Sequence, residues 1–64
     1  MSKIDVTIHI YSGVVIEYQT ELTIRDLHML FNDSIKGGWP ISVVDRGRDM
    51  TVNASLIEFV TYHE

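Results

Sequence analysis

Cysteine is absent from the 64 residues, which removes disulfides, thiolate zinc sites and thiol nucleophiles together. No apolar run approaches the ~18 residues of a membrane span, and the opening residues form no apolar signal core. Basic residues are few, five Lys and Arg against nine Asp and Glu. Neutralising phosphates needs the opposite balance, so nucleic acid is not expected as the main partner, while a protein with a basic face fits. The histidines His9, His28 and His63 have no paired-ligand spacing, and a metal site needs more than scattered imidazoles. Triad, metal and cofactor templates are all missing, which predicts a non-enzymatic cytoplasmic protein with no metal, no cofactor and no membrane association.

The length predicts a single domain over residues 1–64. A chain this short buries only about 60% of the surface it exposes when unfolded, and one such core supplies ~3–5 kcal/mol of net stability. Small domains usually add disulfides, a metal or a partner subunit. With cysteine absent, association into a homodimer is the expected supplement.

Residues 3–11 alternate strictly: Ile4, Val6, Ile8 and Ile10 on one face, Lys3, Asp5, Thr7, His9 and Tyr11 on the other. This is the pattern of a half-buried strand. A second strand is predicted over Val14–Glu21. A two-residue Ser-Gly loop between them would set Glu17 against Ile8 on the apolar face. A three-residue loop, Tyr11-Ser12-Gly13, instead pairs Ile10 with Val14, Ile8 with Ile16 and Val6 with Tyr18, and puts Gly13 where positive φ is required. On the outer face this register sets Lys3 opposite Glu21, Asp5 opposite Gln19, Thr7 opposite Glu17 and His9 opposite Val15.

Thr23 reads as a helix N-cap with Asp26 in the first turn. At about 100° per residue, Ile24, Leu27, Leu30, Phe31 and Ile35 form an apolar stripe, with Ser34 inside it and His28 at its edge. Gly37-Gly38 ends the helix and Trp39-Pro40 leads onward. Ile41–Asp45 is predicted as a strand, Arg46-Gly47-Arg48-Asp49 as a turn, Met50–Val52 as a brief strand and Asn53-Ala54-Ser55 as a turn or bulge, with a closing strand near Ile57–His63. The expected architecture is therefore α+β: ββα followed by two or three strands, one mainly antiparallel sheet with a single helix packed on one face. The other sheet face is left open or covered by a partner.

Features that suggest chemistry have simpler explanations. Gly37-Gly38 follows a helix where a phosphate cradle would open one. The triplets Asn53-Ala54-Ser55 and Asn32-Asp33-Ser34 match a glycosylation acceptor, but no secretory signal accompanies them. Asp45 and Asp49 flank Arg46-Gly47-Arg48, which reads as a solvated turn. Asp5, Glu17 and Glu21 share a strand face that reads as flat, where acid–base catalysis wants a cleft. Contact is better signalled: Met29 lies on the polar side of the helix, Val15 and Tyr11 on the outer face of the hairpin, and Trp39 before a strand. Met and aromatic residues are enriched at interfaces.

The segment Ile16–Asp33, IEYQTELTIRDLHMLFND, resembles the small phage-encoded inhibitors of uracil-DNA glycosylase, the short dimeric kind with a ββα core. The stretches that carry the resemblance are Asp5-Val6-Thr7, Ile16-Glu17-Tyr18, Leu22-Thr23-Ile24-Arg25-Asp26 and Leu30-Phe31. They span about half the chain. Two departures stand out: His28 occupies a position where that family has an acid, and the last third carries extra strand material. The resemblance implies a homodimeric DNA mimic that binds a host DNA-binding enzyme. The glycosylase grips DNA with a basic groove and pushes an apolar side chain into the base stack. Glu17, Glu21 and Asp26 would then imitate phosphates, and Tyr18, Leu27, His28 and Phe31 would line a pocket or dimer seam, with Met29 on the contact surface. A structural or accessory phage or plasmid protein that self-associates through its sheet face is the alternative.

Overall fold

The computed structural model describes residues 3–64, in the order β1 (Ile4–Ile10), β2 (Val15–Thr20), α1 (Ile24–Gly37), β3 (Ile41–Asp45), β4 (Arg48–Val52), a 3-10 turn (Ala54–Leu56) and β5 (Ile57–His63). This is the α+β architecture expected, ββα followed by strands, with the helix against one sheet face.

The opening hairpin has the register set by its alternation. Val6 lies opposite Tyr18, Ile8 opposite Ile16, Asp5 opposite Gln19, Thr7 opposite Glu17 and His9 opposite Val15. The loop is the three-residue Tyr11-Ser12-Gly13: the Ile10 N–H donates to the Val14 carbonyl at 3.0 Å, and Gly13 has φ 94°. A side chain at that φ would be strained, so glycine there helps fix which face of β2 turns inward. The ladder ends at Ile4 and Thr20, one step short of the expected Lys3–Glu21 pair.

Strand order completes what periodicity left open. β1 is central, with β2 on one side and β5 on the other, both antiparallel. A bulge between His9 and Ile10 leaves Glu58 as the extra residue on β5. The extra residue resets the alternation, so Ile57 enters the core and Phe59 faces outward. β3 and β4 form a separate hairpin, and β3 runs beside β2 without joining its ladder. The turn of that hairpin is tighter than the expected four residues. Arg46 and Gly47, with φ 53° and 78°, make a two-residue turn, and β4 already begins at Arg48, which pairs with Asp45. Two consecutive positive φ values mark the primed turn that matches strand twist.

Thr23 caps α1, its Oγ1 accepting from the Asp26 N–H at 3.1 Å. At the far end Gly38 takes the left-handed conformation, φ 73°, and its N–H and that of Trp39 both turn back to the Ser34 carbonyl. The buried helix face is narrower than the predicted stripe. Leu27, Phe31 and Ser34 are buried and Ile24 is half-buried, but Leu30 and Ile35 are exposed. The core unites Leu27 and Phe31 with Ile4, Val6, Ile8 and Ile10 of β1, Ile16 of β2, Ile41, Val43 and Val52 of the second hairpin, and Ile57. No helix among the described residues is long and apolar enough to cross a membrane.

Candidate functional site

The helix and second hairpin cover only the inner face of the three-stranded sheet. Its outer face is formed by three cross-strand rows: Gln19, Asp5 and His63; Glu17, Thr7 and Thr61; Val15, His9 and Phe59. Thr7 and His9 on the central strand are half-buried, and the flanking members are exposed. In the first row the Gln19 amide donates to Asp5 Oδ1 at 2.8 Å. In the last, the His9 and Phe59 rings stack with centroids 4.1 Å apart and planes 17° from parallel. The face thus runs from a polar, acidic end to an apolar, aromatic one. Asp5 and Glu17 are diagonal neighbours across the strand pair, a placement that separates residues by about 7–8 Å.

Charge is distributed unevenly over the molecule. The five cations are Lys3, Arg25, Lys36, Arg46 and Arg48. Arg25 and Lys36 lie on α1, Arg46 and Arg48 at the β3–β4 turn, and Lys3 just ahead of β1. None belongs to β1, β2 or β5. A depression of about 370 Å³ at the end of the sheet is bordered by Glu21, Glu64 and Lys3, with Ile4, Leu22, Thr23 and Ile24.

The residues singled out from sequence do not gather on one surface. Glu17 stands on the outer sheet face, Glu21 lies beyond the end of β2, and Asp26 occupies the first turn of α1 on the opposite side of the sheet. Leu27 and Phe31 are 0% and 2% exposed, so they belong to the chain's own core and line no surface of this fold. Tyr18 also points inward, beside a seam of about 470 Å³ between β2 and the second hairpin. Burial holds its hydroxyl pKa above the ordinary tyrosine value, and the neighbouring Tyr62 hydroxyl adds to the effect; burial alone raises Tyr62. His28 is exposed and meets the Tyr62 ring edge-on at 4.9 Å. Met29 stands 58% exposed on the outer side of the helix.

The paired strands also decide the histidines. His9 lies opposite Phe59 and His63 opposite Asp5, which separates the two imidazoles by four residues along the ladder, roughly 13 Å at strand rise. Two ligands of one ion cannot be that far apart. Among the described residues no group of three or more His, Asp or Glu is placed to hold a metal.

Phe59 and Thr61 were not singled out by sequence reasoning, and His63 was weighed there only as a metal ligand, although the three form a third of the outer face. Their alternation within Ile57–His63 is a usable signal, but it gains meaning only once β5 is placed beside β1. Compared with protein-family models, curated proteins and solved structures, the chain matches none.

Proposed function

We infer that this chain is a non-catalytic binding module of the cytoplasm, which presents the outer face of β2, β1 and β5 to the basic surface of another protein. One observation carries the reading. The three rows of the uncovered face hold the carboxylates Asp5 and Glu17 and neither lysine nor arginine, with Lys3 just ahead of the first row. Complementary potential steers encounter and selects partners, and exposed carboxylates that outnumber the nearby cations favour a surface that brings its own. The stacked His9–Phe59 pair and Val15 supply an apolar contact at the other end of the same face, as interfaces combine apolar anchors with a polar surround.

The resemblance of Ile16–Asp33 to phage inhibitors makes uracil-DNA glycosylase the specific partner proposed. Asp5 and Glu17 would replace successive phosphates in its DNA groove, and Glu21 extends the acidic surface past the end of β2. In this reading Asp5 takes the place given from sequence to Asp26, because Asp26 lies on the helix side. Self-association through the sheet face is the competing reading; stacking that brings the acidic ends of two copies together would set carboxylates against carboxylates.

A uracil-excision assay tests the proposal. Stoichiometric loss of glycosylase activity, relieved by added salt, is the expected result. Undiminished activity at large molar excess, together with a homo-oligomeric mass in sedimentation, would replace this reading with the self-associating accessory protein.

A further inference from the structure

Trp39 is 65% exposed, yet its position is fixed from three directions. Its N–H donates to the Ser34 carbonyl at 3.0 Å. Its own carbonyl accepts from Ser34 Oγ. Its indole lies against Gly37, where any β-carbon would collide with Nε1 and Cδ1. Pro40 then restricts the backbone on its C-terminal side. Ordering a large side chain costs entropy, and little is recovered when two thirds of it stays in water. An indole resting on Gly37, on a backbone held at both ends and open to solvent, is instead placed to meet something outside the chain.

The indole borders a groove of about 240 Å³ between the C-terminal half of α1 and the start of β3, lined by Leu30, Trp39, Pro40 and Ile41 together with Asp33, Ser34 and Ser42. Most of that lining is apolar. Asp33 supplies its one charged group, and Lys36, three residues on, is not part of it. The last turn of α1 lies alongside, with the negative end of the helix dipole. An indole face attracts a cation, a carboxylate binds it by charge-assisted hydrogen bonds, and an apolar floor accepts a methylene stem. Arginine suits all three better than lysine, because its planar group both stacks and forms paired hydrogen bonds.

We propose that this groove seats an arginine side chain of a protein partner. The net charge of −4 favours such a partner. The groove lies on the helix side, away from the outer sheet face, so the inference does not rest on the proposal for that face.

The test is a titration of the isotope-labelled protein with the peptide acetyl-Gly-Ala-Arg-Ala-Gly-amide, followed by nuclear magnetic resonance. Versions carrying lysine or norleucine in place of arginine serve as comparisons. The single tryptophan gives one indole N–H signal. The arginine peptide should move that signal and the backbone amides of Leu30 and Ile41, the lysine peptide should do so more weakly, and the norleucine peptide should leave them in place. Asp33→Asn and Trp39→Ala should each weaken arginine binding about two- to fivefold, read from the amides. Equal shifts with norleucine would overturn the proposal by showing an apolar groove only. Shifts confined to the Asp5 and Glu17 face would also overturn it while leaving the sheet-face reading intact. Movement of the same signals with protein concentration alone would assign the groove to a second copy.

Discussion

Leu27 and Ile35 sit on the same helix with similar apolar side chains, yet one is 0% and the other 48% exposed. The difference comes from the width of the surface beneath the helix. Counting at 100° per residue, Leu27, Phe31 and Ser34 span an arc of only about 60°, and Leu30 and Ile35 fall on either side of it. Periodicity gives the direction of a buried face, whereas the width depends on how many strands lie underneath. Leu27→Ala should therefore cost about 2–5 kcal/mol through lost burial and an unfilled cavity. Ile35→Ala should stay within about 1 kcal/mol, since little packing is lost and alanine favours helix. Urea unfolding of both variants checks the contrast; equal losses would restore the broader stripe. Among the site residues the same geometry separates Phe31, which is core, from Met29, which is not.

β1 is the element on which the others are ordered. Tyr18 on β2 and Tyr62 on β5 both lie opposite Val6, so two partly buried phenols flank one central position. Both have pKa values raised by burial. The folded state then holds these protons more tightly than the unfolded chain, whose tyrosines titrate near pH 10. Their contribution is fully present below about pH 10 and is lost as pH rises through the higher folded values. Thermal melts across that range should show stability falling above about pH 10, and Tyr18→Phe with Tyr62→Phe should flatten the fall. An unchanged slope in the double variant would assign alkaline loss to other groups.

Element by element, the hairpin and helix were legible in the sequence because their information is local. Glycine at the third loop position, alternation in β1 and a threonine ahead of the helix each specify their own segment. The partner of β5 was not legible, because antiparallel pairing across 40 or more residues leaves no local mark. The β3–β4 turn was misread for a different reason. Arg46 adopts a positive φ without being glycine, asparagine or aspartate, so composition suggested a longer turn.

At the scale of the whole molecule, the chain divides its charge. Four of its five cations lie on α1 and the β3–β4 turn, while the open sheet face displays carboxylates and an aromatic end. Sequence alone already set Asp5 and Glu17 on one face of the hairpin, but not the row of Phe59, Thr61 and His63, which joins that face only after β5 returns to β1. The central claim is that this face engages a basic partner. Calorimetric titration of uracil-DNA glycosylase with the wild-type chain and with the Asp5→Lys, Glu17→Lys double variant tests it most directly. Both side chains are exposed, so the variant should keep the wild-type circular dichroism. The account predicts salt-sensitive binding by the wild type and at least a tenfold loss in the variant, about 1.4 kcal/mol or more. No binding by the wild type, or equal binding by a folded variant, would contradict it.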